Sequence, residues 1–179
     1  FPMVFFLAFL YNGCMDKKKL LLIDGSSVAF RAFFALYQQL DRFKNANGLH
    51  TNAIYGFQLM LNHVLERVAP SHVLVAFDAG KTTFRTEMYA DYKGGRAKTP
   101  DEFREQFPFI RELLDHLGIR HYELAQYEAD DIIGTLGRLA EKDSFDVTIV
   151  SGDKDLIQLT DEHTVVEISK KGVAEFEAF

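Results

Sequence analysis

The chain has 179 residues, 47% hydrophobic and 26% charged, the balance of an ordinary soluble domain long enough for one real core. Its one cysteine, Cys14, excludes an internal disulfide framework and a cysteine-rich zinc site, and fits a reducing, cytoplasmic setting. A formal net charge of −6 provides no global basic field for nucleic acid, although a local patch or a bound metal can supply one.

Residues 1–14 open on Phe1-Pro2-Met3-Val4-Phe5-Phe6-Leu7-Ala8-Phe9-Leu10-Tyr11 and break at Asn12-Gly13. The apolar run is too short to span a bilayer as a helix. It also lacks the basic flank and small-residue cleavage site of a signal peptide. Met15-Asp16-Lys17-Lys18-Lys19 reads as a natural start. Residues 1–14 are therefore expected to be a non-native or mistranslated leader, with the folded domain over 15–179 and no membrane partner.

Lys19–Ile23 is a short continuous apolar run, the pattern of a strand buried on both faces. Asp24-Gly25-Ser26-Ser27 follows as a turn with helix-capping residues, and Val28 to Leu40 reads as a helix. A loop rich in Asn and Gly leads to a second helix from Asn52 to Ala69, halted by Pro70. His72–Phe77 is another buried strand, ended by Asp78-Ala79-Gly80. Beyond an irregular stretch over 81–98, Thr99-Pro100-Asp101-Glu102 opens a helix whose buried stripe is Phe103, Phe107, Ile110, Leu113, Leu114 and Leu117, closed by Gly118. Ile119–Leu124 is a candidate strand, and a helix beginning near Glu128 runs to about Lys142. Asp146–Val150 is a strand, followed by a short helix to Leu159 and a strand over Thr164–Ile168. Strands alternating with helices predict an α/β fold: a mostly parallel central sheet with helices on both faces.

The densest chemistry lies in Tyr127-Glu128-Ala129-Asp130-Asp131-Ile132-Ile133. On a helix, Glu128 and Asp131 share a face and Asp130 stands beside them. Such acids in a first turn are stabilised by the helix dipole, and they also suit a hard divalent cation. The rest of the chain weighs on this choice. Asp24 follows the first strand, Asp78 the second, and Asp153 and Asp155 the strand ending at Val150. In an open parallel sheet, ligands bind beyond the carboxyl ends of the strands, so all these acids are expected at one edge. Converging caps are a poor account of so much like charge, because some groups would have to neutralise unless cations sat among them. Donors that are all oxygen select Mg²⁺ or Mn²⁺ over zinc. Two such ions about 4 Å apart clamp an in-line phosphoryl displacement, so phosphodiester hydrolysis fits. No Walker A or GxGxxG pattern supports triphosphate or dinucleotide binding.

Positive charge comes from residues 81–98. Lys81, Arg85, Lys93, Arg96 and Lys98 face only Glu87 and Asp91, interleaved with Phe84, Tyr89 and Tyr92. Cations for phosphates and rings for unpaired bases suit a single strand, whereas the plainer reading is a solvated loop of paired charges. Gly94-Gly95 would let the loop move or thread a strand. Arg31, in the first helix, could reach a phosphate or make an ordinary ion pair.

Leu22-Ile23-Asp24-Gly25-Ser26, Ala76-Phe77-Asp78, Tyr92-Lys93-Gly94-Gly95-Arg96, Tyr127-Glu128-Ala129-Asp130-Asp131 and Ser151-Gly152-Asp153-Lys154-Asp155 resemble, in this order, the motifs of the flap-endonuclease family. Within it the likeness is to the amino-terminal 5′→3′ exonuclease domains of bacterial polymerases of the DNA polymerase I type, and it extends over Met15 to Phe179. The resemblance implies a PIN-like, Rossmannoid fold, a two-metal site, and removal of 5′ flaps or RNA primers in replication and repair. It implies metal ligation by Asp24, Asp78, Glu128, Asp130, Asp131, Asp153 and Asp155. Lys93 and Arg96 match arch residues that hold the scissile phosphate, with Arg31 as a phosphate contact and Arg85 at the arch base. The implied partners are DNA with a 5′ flap or a nicked, primer-bearing duplex, and the polymerase portion of a longer parent chain. A monomer is expected. The family's helix-hairpin-helix and a Gly-Asp-x-x-Asp-Asn motif would lie beyond Phe179, so an amino-terminal fragment with little cleavage and no polymerisation of its own is expected.

Three other classes compete. The chain could bind DNA 5′ ends or metal without turnover. A phosphorylated receiver domain needs only two or three acids, and an aspartyl phosphatase would need a second acid where Ser26 stands.

Overall fold

The computed structural model describes residues 18–80 and 99–179, so the readings of 1–14 and 81–98 lie outside the described residues. The element order is β1 (Lys19–Asp24), α1 (Gly25–Ala35), a 3-10 segment (Tyr37–Arg42), α2 (Asn52–Val68), β2 (His72–Phe77), α3 (Asp101–Arg104), α4 (Phe107–His116), β3 (Arg120–Glu123), α5 (Ala129–Lys142), β4 (Asp146–Ser151), a 3-10 segment (Lys154–Leu159), β5 (Thr164–Lys171) and β6 (Glu175–Ala178). They build one sheet in the order β3-β2-β1-β4-β5-β6. The strands β1 to β5 pair in parallel, and β6 returns antiparallel along β5. The parallel pairing puts the carboxyl ends of β1, β2, β3 and β4 at one edge.

Successive residues of a strand face opposite ways, which is why an unbroken apolar run needs cover on both sides. Leu21 and Ile23 point to the face covered by Phe33 of α1, Phe57, Met60 and Leu61 of α2, and Ile110 and Leu114 of α4. Leu22 points the other way, joining Val147, Ile149, Val166 and Ile168 beneath Ile132 and Ile133 of α5. The sheet is thus covered on both faces, as its sequence pattern predicts.

The local differences from expectation have physical causes. Helix α1 begins at Gly25 rather than Val28, because Asp24 at the end of β1 caps it directly by accepting from Ser27 N at 2.9 Å. It ends at Ala35, and the chain tightens into 3-10 turns. The single helix expected over 99–117 is two, α3 and α4, with Pro108 in the first turn of α4. At the junction the buried Gln106 side chain accepts from Ala53 N at 2.7 Å, and donates to Asn52 Oδ1 at 2.9 Å and to the Glu102 carbonyl at 2.7 Å. Of the expected stripe, Phe103, Ile110 and Leu114 are buried and Leu117 is exposed. Strand β6, unforeseen, closes a hairpin through Gly172 at φ +64°, a left-handed conformation that glycine adopts without strain. Among the described residues, no helix is long and apolar enough to cross a membrane.

Candidate metal centre

The site is built outward from Asp24. As the last residue of β1 and the cap of α1, its carboxylate is fixed from both sides. Oδ1 accepts from Ser27 N at 2.9 Å and Oδ2 from the Ser151 hydroxyl at 2.8 Å. The residue is only 4% exposed. Burial raises its pKa from 3.8 to about 7, against the pull of the Ser27 and Ser151 hydrogen bonds, and the negative charges of Asp130 and Asp78 push the same way. Asp24 therefore senses Asp78 and Asp130 although they come from distant stretches of chain.

Asp78, just past β2, accepts from Ala129 N at 2.9 Å, which ties it to the first turn of α5. Glu128 caps that helix. Its side chain accepts from the Asp131 backbone, while its own N–H donates to Asp131 Oδ2 at 3.0 Å. Glu128 and Asp131 thus form a capping box, and the Asp130 charge bears on Asp24. Past β4, Asp153 donates its N–H to Ser151 Oγ at 2.9 Å and accepts from Asp155 N at 3.0 Å. Asp155 itself is exposed in the first turn of the following 3-10 segment.

The site residues expected from sequence and described here all follow the carboxyl ends of strands, except Arg31. Its guanidinium donates to Ser169 Oγ at 3.1 Å, to the Ser169 carbonyl at 2.7 Å and to the Lys170 carbonyl, fastening α1 to β5. Lys81, Arg85, Tyr89, Tyr92, Lys93, Arg96 and Lys98 lie outside the described residues. Sequence reasoning passed over three serines as site residues: Ser26, Ser27 and Ser151. Their only sequence signal is adjacency to the acids.

The donor set is wholly oxygen, and a buried carboxyl whose pKa is raised to about 7, with two more acids bearing on it, is a place short of positive charge. Both features fit a hard divalent cation. Among the described residues, no group of three His, Cys, Asp or Glu is arranged to hold a metal ion. A groove of about 1020 Å³ lies elsewhere, beside α5 over β2 and β3. Leu74, Tyr122, Leu124, Tyr127, Ile132 and Leu136 make its lining mostly apolar, Asp115, Arg120, His121 and Thr135 add polar groups, and of the acidic set it includes only Asp131.

A parallel sheet with helices on both faces and carboxylates along its C-terminal edge defines an α/β domain with an acidic edge. The chain belongs to the family described as 5′-3′ exonuclease, N-terminal resolvase-like domain, which it matches over residues 19–178. DNA polymerase I of Streptococcus pneumoniae strain R6 is 93% identical over 165 residues, which is 92% of this chain and 19% of that protein. DNA polymerase I of Bacillus subtilis is 57% identical over 164 residues, covering 92% of this chain and 18% of the relative. The chain therefore spans about a fifth of the length of the relatives it matches. Among solved structures, T5 5′-exonuclease with bound zinc aligns with a TM-score of 0.63 at 19% identity, over 83% of this chain and 54% of that one. The T5 D15 flap endonuclease in complex with DNA and metal ions aligns with a TM-score of 0.60 at 21% identity, over 83% and 54%. These two likenesses share the fold.

Proposed function

We propose that this chain is the metal-holding part of a structure-specific 5′ nuclease, which in a longer DNA polymerase I-type protein hydrolyses phosphodiester bonds at DNA 5′ ends, flaps and RNA primers. The observation that carries the reading is the burial of Asp24 at a strand edge where Asp78 and Asp130 bear on it. Asp24, Asp78, Asp130 and Asp153 would hold Mg²⁺ or Mn²⁺, two ions in the complete nuclease, with Asp155 beside them. When bound, such ions supply Lewis acidity at the phosphate and an activated water. Glu128 and Asp131, through their capping box, aim the turn that carries Asp130. Lys93 and Arg96 grip the phosphate next to the bond that breaks, and Lys81, Arg85 and Lys98 with Tyr89 and Tyr92 receive the unpaired strand. Arg31 sets α1 against β5 and joins the phosphate contacts beside it. The setting is cytoplasmic, and the domain acts as a monomer joined to its polymerase portion.

The test is cleavage of a 5′-labelled flap by the full-length parent in Mg²⁺ and in EDTA. Cleavage should require the metal. The Lys93→Ala/Arg96→Ala parent should lose about 10²-fold or more in rate, and its DNA binding should depend less on salt. Cleavage that persists in EDTA would overturn the reading.

The open, uncaged acidic edge favours a second reading for the chain by itself: it binds 5′ ends or metal without turnover. Binding by the isolated chain should then weaken steeply with salt while no product forms.

A further inference from the structure

We propose that Ser151, with Ser26 and Ser27, is a hydroxyl clamp that sets the spacing of the metal-holding carboxylates. Three strand ends must be held together for the acidic edge to exist, and parallel pairing alone leaves the residues past each strand untied. The serines tie them. The Ser26 hydroxyl accepts from Asp78 N at 3.0 Å, joining the β2 end to the first turn of α1. The Ser27 hydroxyl accepts from Gly152 N at 2.9 Å, joining the β4 end to the same turn. Ser151, fully buried, donates to Asp24 Oδ2 at 2.8 Å and accepts from Asp153 N at 2.9 Å. One hydroxyl thus fixes the position of two acids from different strands.

Only a hydroxyl can both donate to a carboxylate and accept from an amide through one atom on so short a stem. The packing leaves no slack. A Cβ at Gly152 would lie 2.6 Å from Ser27 Oγ, so the close approach of β4 to α1 depends on glycine there. These are positioning residues, acting through Asp24, Asp78 and Asp153 rather than touching substrate. Groups that orient metal ligands commonly govern metal affinity by ten- to a hundred-fold.

The inference rests on the proposed nuclease reading, and one experiment separates the two. Flap cleavage by the full-length parent is titrated with Mg²⁺ for wild type, Ser151→Ala and Ser26→Ala, and each protein's melting temperature is taken in EDTA. The expected result is a half-saturating Mg²⁺ concentration raised about ten- to a hundred-fold by Ser151→Ala and by less for Ser26→Ala. A merely structural serine would lower the melting temperature and the rate without moving the Mg²⁺ midpoint. That outcome, or a titration identical to wild type, overturns the clamp and leaves the nuclease reading standing. A wild-type parent with no Mg²⁺-dependent cleavage overturns both. Alanine is smaller than serine, so neither variant overfills its site; should one fail to fold, the other alone decides by the same midpoint.

Discussion

Replacing Asp24 by Asn is expected to cut Mg²⁺-dependent flap cleavage by the parent protein by roughly 10²–10³-fold, yet to make the metal-free chain more stable at neutral pH. The two effects have one cause. Asp24 is buried where its charge is unwelcome, and its pKa stands near 7 instead of 3.8. A carboxyl whose folded pKa is raised binds more protons folded than unfolded between those values. Stability therefore falls as pH rises from about 4, and the loss is complete just above 7. Asn keeps the size and can still accept from Ser27 N, but it never ionises. The stability gap between variant and wild type should be near zero at pH 3.5 and reach about 2–4 kcal/mol at pH 8. Chemical denaturation of both proteins in EDTA across that range checks it. Divalent metal should then raise the stability of wild type more than that of the variant, because only wild type binds it well. A gap independent of pH would mean that Asp24 is already comfortable as an anion.

Gly25→Ala sets two effects against each other. As a helix former alanine is favoured over glycine by up to about 1 kcal/mol. Against this, a Cβ at Gly25 would lie 2.4 Å from Phe77 Cε1 and 2.6 Å from Val75 Cγ1. Phe77 cannot swing away: it is fully buried, edge-on to Phe107 at 5.3 Å, and capped by the Arg111 guanidinium at 5.2 Å. Overfilling a packed core costs about 1–3 kcal/mol, and overlaps this deep belong at or beyond the upper end. Overlap wins. The variant should be destabilised by about 2 kcal/mol, a fall of roughly 5 °C in melting temperature for a domain this size. Cleavage by the parent should drop too, since Gly25 follows Asp24 directly. A higher melting temperature would show that β2 yields and that helix propensity governs the site.

The parallel frame was legible in the sequence because its causes are local. Lys19–Ile23 and His72–Phe77 are unbroken apolar runs, and strands buried on both faces require them. Asp24 and Asp78 could be placed at one edge because each directly follows such a strand, and Asp153 because it lies in the turn just past Asp146–Val150. The contacts that tie the edge together were not legible. Ser26 meets Asp78 across 52 residues and Ser27 meets Gly152 across 125, and those pairings follow from strand order, on which periodicity is silent. Glu128-Ala129-Asp130-Asp131 suits a helix cap as well as a metal ligand, and the structure shows the Glu128–Asp131 capping box, while the Asp130 charge acts on Asp24. The α3–α4 break was hidden because the apolar stripe runs through it, while the polar Gln106 at the join is fully buried. Arg31 suits a phosphate contact or an ordinary ion pair, and its bonds to β5 were not legible because they depend on a strand more than a hundred residues away.

The most direct measurement is anomalous scattering from crystals of the full nuclease soaked in Mn²⁺. Manganese is expected among Asp24, Asp78, Asp130 and Asp153, and lost from that position in the Asp24→Asn variant. Manganese bound only elsewhere, in a protein that still cleaves flaps, would contradict the proposed metal site.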